Sequence, residues 1–384
     1  MVRPLKVALT IMYPLNPSRR SGGLQAVGCD LVRGFQSVDD VDFHVVHCTK
    51  EVDADRVVKE GSVTVHYLRV PRRRIVPNML TSVLRIRREL QRLQPDVVNA
   101  HMGHYATAGI LAGFPTVFTI HGIVWREAEI FRQSWFDRLR FRLAILYDSY
   151  AVRRVARVVA INSYVVREYE AEDDPRWQVI PIPVSEEYFA VPDRTVPGRI
   201  LCAGTILELK NGLALLQALK GVRERVPQAH VHFAGRVDDT AYLARLKRYA
   251  ADNGLEDAVT FRGLISFEQT LDAYSECAVL ALTSRQESSP RVVLEAGAAG
   301  KPSVSARVGN VEEIIQDGVS GFVVTQEDIP ALTDRLVRLL TDGDLRRRMG
   351  AAARERVGER YRSDRIVAQY MELYRETARA GVKG

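Results

Sequence analysis

Residues 278–305 read A-V-L-A-L-T-S-R-Q-E-S-S-P-R-V-V-L-E-A-G-A-A-G-K-P-S-V-S, a strand, a loop, a helix and a second strand in succession. The apolar run Ala278–Leu282 has the length and composition of a buried strand. Ser289 is a good N-cap and Pro290 a good first helical residue, which predicts that a helix begins there. Ser303–Ser305 then resumes the strand pattern. This is the repeating unit of α/β layering over a parallel sheet.

The same alternation extends in both directions. After the helix and second strand comes Gly321–Val324; before them come R-I-L-C-A-G-T from Arg199, then Val231–Ala234 and Val259–Phe261. In the first half the predicted strands are Lys6–Tyr13, Asp42–His47, Val63–Leu68, Val97–His101, Thr116–His121, Val158–Ile161 and Gln178–Pro181. Helical stretches between them include Leu24–Gln36, Met79–Leu93 and Trp135–Arg154, the last with arginines opposite an apolar side. Between the halves, Pro181, Pro183, Pro192 and Pro197 crowd a stretch without period, which reads as a linker.

At 384 residues the chain suits two domains of roughly 180 residues each. The expected division is 1–185, 186–360 and a tail over 361–384. Leu345–Val357 predicts a basic helix. Arg362–Thr377 carries Ile366, Val367, Tyr370, Met371 and Tyr374 on one stripe, which must bury against something. The expectation is a final helix crossing back onto the first domain.

Composition narrows the class of partner. The formal net charge of +7 suits anionic ligands, while no nucleic-acid-binding module accompanies it. Cys29, Cys48, Cys202 and Cys277 form no C-x-x-C pair and read as four reduced thiols. Lys6 interrupts the opening apolar run, and no apolar stretch approaches the ~20 residues of a membrane span. A cytoplasmic protein is expected. Arginine clusters at Arg72–Arg74, Arg85–Arg88 and Arg138–Arg142, the last beside Trp135 and Phe136, offer a route to peripheral contact with an anionic inner membrane face.

A helix that follows a strand presents its amino end at the carboxyl edge of the sheet, where open α/β folds bind ligands. Free amides there attract phosphate. Glu287 precedes the predicted helix and Glu295 lies about a turn and a half inside it. One carboxylate can approach a sugar while the other accepts hydrogen bonds from ribose hydroxyls. Taken by themselves, two glutamates eight apart are more often solvated surface charges.

The spacing Glu287 to Glu295 followed by A-G-A-A-G-K-P resembles the glutamate–seven residues–glutamate signature of retaining glycosyltransferases of the GT-B fold. The similar group is glycosyltransferase family four, which includes sucrose synthase and phosphatidylinositol mannosyltransferases. Four further stretches resemble that family in order: S-G-G-L-Q at Ser21–Gln25, T-I-H-G at Thr119–Gly122, A-G-T-I-L-E-L-K-N-G at Ala203–Gly212, and G-N-V-E-E-I-I-Q-D-G-V-S-G-F-V-V at Gly309–Val324. The resemblance implies two Rossmann-like, doubly wound domains facing a cleft, and transfer of a hexose from a UDP- or GDP-linked sugar to a glycan, lipid-linked or small-molecule acceptor. It implies no required cofactor and no metal, the nucleotide sugar being a substrate.

Residue by residue, it assigns catalysis to Glu287, Lys210 and His121. Donor binding falls to Gly22, Gly23, Gly204, Thr205, Lys210, Arg291, Val292 and Glu295. Lys210 would neutralise the departing diphosphate, usually the largest electrostatic task; without the family it would read as an exposed lysine at a helix start. Gly22 and Gly23 alone would suit a tight turn, and His121 a satisfied core histidine. His101 and His104 have no evident acidic or cysteine partner and are read as shaping the acceptor pocket rather than holding metal. Asp238–Asp239 and Asp173–Asp174 do not fit a metal-binding pattern.

Two departures stand out. Thr205 occupies the place where many relatives carry a phosphate-binding arginine, leaving Arg236 or Arg291 as substitutes. S-S-P-R follows Glu287 where many relatives have a glycine-containing loop. A nucleotide-sugar epimerase of the same fold is the rival reading. A dinucleotide oxidoreductase is disfavoured because no G-x-G-x-x-G follows the first strand, and a catalytically silent scaffold is the blandest alternative.

Overall fold

The computed structural model describes residues 3–20, 22–71, 78–131 and 135–381. Of the arginine clusters, Arg72–Arg74 lies outside the described residues, as does Ser21 of the glycine loop. The chain divides into two compact units. One takes in Met1–Pro17, Leu24–Pro183 and Ser363–Gly384; the other takes in Ser18–Gly23 and Val184–Arg362.

The first unit is built on eight strands: β1 (Leu5–Thr10), β2 (Val41–Thr49), β3 (Arg56–Glu60), β4 (Val63–Arg69), β5 (Val97–Ala100), β6 (Thr116–Ile120), β7 (Arg157–Ala160) and β8 (Trp177–Val179). Their order is β3-β4-β2-β1-β5-β6-β7-β8, parallel throughout except where β3 pairs antiparallel with β4. β1 is the centre of the winding. Val7 is flanked by Phe43 of β2 and Val97 of β5, and strands buried on both faces read as unbroken apolar runs.

The helix Ser363–Gly381 belongs to this first unit. Ile366, Val367, Tyr370, Met371 and Tyr374 are all buried, as their stripe predicts. Asn99 on β5 donates its amide to the Tyr374 hydroxyl at 2.6 Å, and the Thr119 hydroxyl on β6 donates to the Asn99 carbonyl at 2.9 Å. Buried polar groups satisfied in this way fix one docking position rather than many.

The second unit has six parallel strands: β9 (Arg199–Ala203), β10 (His230–Ala234), β11 (Val259–Phe261), β12 (Val279–Leu282), β13 (Ser303–Ala306) and β14 (Gly321–Val324). Their order, β11-β10-β9-β12-β13-β14, is the 3-2-1-4-5-6 winding of a dinucleotide-type sheet. The direction of winding reverses between β9 and β12, and ligands of such sheets sit outside the carboxyl ends at that point. Leu215, Leu216, Leu219 and Val222, on one face of the helix Gly212–Arg225, are fully buried in the core.

All four cysteines are free thiols. Among the described residues, no helix is long and apolar enough to cross a membrane.

Candidate functional site

In the second unit, the chain leaves β9 through Gly204, whose φ of +137° is open to glycine but strained for other residues. The neighbouring turn after β10 presses against it: a side chain at Gly235 would meet the Gly204 carbonyl oxygen at 1.8 Å. Thr205 follows, and a short 3-10 turn, Glu208–Lys210, delivers Lys210. Two bonds tie this turn to the segment after β12. Thr283 donates its hydroxyl to the Lys210 carbonyl at 3.2 Å, and the Arg285 amide donates to the Leu209 carbonyl at 2.9 Å.

These ties bring Lys210 and Glu287 together. The Lys210 ammonium donates to Glu287 Oε1 at 2.5 Å, and the Ser284 hydroxyl donates to the same oxygen at 2.7 Å. The Glu287 backbone is held by the Gly309 stretch: a side chain at Gly309 would meet the Glu287 and Ser288 carbonyls at 2.5 Å, and the Asn310 amide donates to Ser288 at 3.2 Å. The motif after β13 therefore shapes the loop that carries Glu287. A small pocket lies beside Gly204, Thr205, Lys210, Thr283 and Ser284. Burial pushes the Cys202 thiol on its wall up to about 12, so it stays protonated and is no nucleophile.

The helix after Glu287 spans Arg291–Ala298, with Pro290 and not Ser289 in the capping position. The expectation of a Ser289 cap is thus corrected by one residue. Pro290 itself has a ψ of 90°, outside the helical range, so the helix starts only beyond it, and the Ser289 hydroxyl is buried with no hydrogen-bond partner among the described residues. The amides of Arg291 and Val292 still occupy the first turn, where no carbonyl precedes them within the helix.

Glu295 is buried, with one donor on each carboxylate oxygen. Arg291 Nε donates to its Oε1 at 2.7 Å and the Tyr274 hydroxyl donates to its Oε2 at 2.8 Å. Burial, aided by the Glu295 charge, holds the Tyr274 hydroxyl well above its ordinary value, so it remains a donor. Neither cation proposed to replace the arginine missing at Thr205 is idle: Arg291 grips Glu295, and Arg236 forks onto Asp238. Asp239 caps the helix Thr240–Asp252 and Asp174 pairs with Arg176. Among the described residues, no cluster of three His, Cys, Asp or Glu side chains is placed to hold a metal.

Gly22 has a φ of +131°, and a side chain there or at Gly23 would meet nothing within 4 Å. Gly22 supplies a turn that other residues would strain, and neither glycine is packed against neighbours.

In the first unit, His121 stands at the end of β6 and His101 at the end of β5. His101 Nδ1 lies 2.6 Å from His121 Nε2, with the rings stacked. Both line a cavity of about 440 Å³ together with His104, Glu127, Arg140 and Asp148. Burial lowers His121 and His104 to about 4. Asp148 fits against the start of the helix Gly103–Ala112, where any side chain at Gly103 would collide with its carboxylate. Burial, with the nearby Glu127 charge, raises Asp148 to about 7. Sequence reasoning missed Asp148, Tyr274 and Ser284, because each is a common polar residue whose partner comes from a distant segment.

The raised Asp148 has a sign that can be tested. Unfolded, it titrates near about 3.9; folded, it keeps its proton to about 7. Its contribution is complete at low pH and is lost as pH climbs from about 4 to 7. Asp148→Asn should therefore melt higher than the parent at pH 8, with the advantage shrinking towards pH 4. Parallel thermal melts across that range check this, and an advantage that grows on acidification contradicts it.

The glycosyl transferases group 1 family matches residues 185–356, and glycosyltransferase family 4 matches residues 21–188. N-acetyl-alpha-D-glucosaminyl L-malate synthase of Bacillus anthracis is 38% identical over 130 residues, 34% of this chain and 34% of that protein. The GDP-mannose-dependent alpha-(1-6)-phosphatidylinositol monomannoside mannosyltransferase of Mycobacterium tuberculosis is 30% identical over 183 residues, 46% of this chain and 47% of that one. The chain thus spans about a third to a half of the length of these curated relatives. Sucrose-phosphate synthase from Thermosynechococcus elongatus superposes with a TM-score of 0.81 at 17% identity, covering 98% of this chain and 100% of that one. Two parallel sheets of this winding define the GT-B architecture of glycosyltransferases. Two glycosyltransferase family models thus match the chain, family 4 over its first half and group 1 over its second.

Proposed function

We propose that the chain moves a hexose from a UDP- or GDP-linked sugar to an acceptor hydroxyl, with retention at the anomeric carbon and without a metal ion. The observation that carries the reading is the Lys210–Glu287 pair, completed by Ser284, at the switch point of the second sheet. An ammonium group beside a glycine turn and a helix amino end suits a pyrophosphate whose charge grows as it leaves. On donor binding Lys210 turns to that diphosphate with the amides of Arg291 and Val292, and Glu287 is released to orient the sugar. Gly204 and Thr205 let the chain approach phosphate, and Glu295 accepts the ribose hydroxyls through its remaining lone pairs. Gly22 and Gly23 flank the phosphates and His121 meets the transferred sugar.

The first unit's cavity takes the acceptor. The names of the relatives divide between a soluble acid, L-malate, and a phosphatidylinositol mannoside, so small-molecule and lipid-linked acceptors both belong to the proposal. Exposed Trp135, Leu139 and Leu146 on the arginine-rich helix Trp135–Arg154 support peripheral contact of a cytoplasmic enzyme with an anionic membrane.

A thermal-shift panel of nucleoside diphosphates and nucleotide sugars, run with and without EDTA, tests the donor site. A ligand at about a hundred times its dissociation constant stabilises by roughly 2.7 kcal/mol. The stabilising donor is then incubated alone and with L-malate, myo-inositol or phosphatidylinositol vesicles. Transfer that survives EDTA is expected. Interconversion of donor sugars without acceptor identifies an epimerase instead, and no stabilisation by any nucleotide sinks the reading.

A further inference from the structure

The pairing of His101 with His121 leaves His101 Nε2 buried without a partner among the described residues. Both rings are neutral, since burial holds His121 down to about 4 and His101 well below its ordinary value. With neither charged, only one of the two facing nitrogens carries a hydrogen. If His101 Nδ1 donates, its Nε2 is a bare acceptor; if His101 Nδ1 accepts, its Nε2 is an N–H donor. Either way the state of His101 Nε2 is bound to the tautomer of His121.

His101 Nε2 is sealed from solvent, with the residue 3% exposed, and has no hydrogen-bond partner among the described residues. Its ring lines the first unit's cavity. An unmet buried nitrogen carries a penalty that a ligand can remove. A hydroxyl suits it in both states, because a hydroxyl donates and accepts. Arg140 and the carboxylates of Glu127 and Asp148 line the same space, as expected for a cavity that grips a polar molecule with several hydrogen-bonding groups.

We propose that His101 Nε2 binds a hydroxyl of the acceptor and, through its bond to His121, sets the tautomer in which His121 meets the sugar. This rests on the reading that the cavity takes the acceptor. Toward the acceptor His101 is a binding residue, and toward His121 a positioning residue.

Two substitutions separate the two nitrogens. Asparagine places its amide near the position of Nδ1, and glutamine near that of Nε2. His101→Asn should keep the bond to His121 and raise the acceptor KM about tenfold, the loss of one hydrogen bond, with the donor KM unchanged. His101→Gln should hold the acceptor KM and lower kcat about tenfold. The acceptor is whichever of L-malate, myo-inositol and phosphatidylinositol vesicles supports transfer. Nitrogen-15 spectra of the labelled rings should show the His121 tautomer retained in His101→Asn and released in His101→Gln. Equal effects of both variants on donor and acceptor parameters would make His101 a packing residue and overturn the proposal. If no probe supports transfer, the acceptor reading falls, and the spectra still decide the pairing: a His121 signal unmoved by His101→Gln refutes it.

Discussion

Replacing Lys210 with alanine should lower kcat by about 10²–10³-fold, the scale of losing one preorganised donor to developing negative charge, while the melting temperature changes little. The asymmetry follows from where the side chain sits. Lys210 is 30% exposed and itself lines the pocket beside Gly204 and Thr205, so the pair behaves more like a surface ion pair, worth about 0–1 kcal/mol. Glu287 keeps the Ser284 hydroxyl and gains water. The leaving diphosphate has no such substitute, because Arg236 is tied to Asp238 and Arg291 to Glu295. Steady-state rates at saturating donor, beside a thermal melt, check the claim. A wild-type rate would remove Lys210 from the mechanism.

Glu295→Ala should have the opposite profile, destabilising the second unit by about 3–5 kcal/mol, the usual result of leaving one half of a buried ion pair alone. Arg291 and Glu295 side chains are 8% and 9% exposed, and Tyr274 would lose its acceptor as well. Glu295→Gln is the informative companion. It keeps the volume and an oxygen for Tyr274, so it should unfold less readily than the alanine variant and weaken nucleoside diphosphate binding about tenfold through the ribose contact. Denaturant melts and calorimetric binding separate the two effects. An alanine variant as stable as the parent would show that Arg291 finds another partner.

The strands were legible because parallel strands covered on both faces are apolar throughout, as in V-L-A-L of β12. β3 was not, since R-V-V-K-E on an exposed antiparallel edge carries no such signal. The start of the helix beyond Glu287 was displaced by one residue because Ser-Pro reads as a cap and a first helical residue from composition alone, whereas Pro290 takes a ψ of 90° that no composition signals. Lys210 and Glu287 were each singled out for separate tasks, and their contact was invisible: they are 77 positions apart and meet only because β9 and β12 are neighbours. His101 and His121 were hidden in the same manner, each ending one of two adjacent strands.

The helix Ser363–Gly381 completes a body whose other parts are made first. Residues Val184–Arg362 must leave the ribosome in between, which at ordinary elongation rates takes on the order of ten to forty seconds. Through that interval the faces of β5 and β6 that will receive Tyr370 and Tyr374 have no cover, and Asn99 waits for its phenol. Transiently bare apolar surface invites aggregation, so a shortened carboxyl terminus would be felt as poor yield before any loss of turnover was measured.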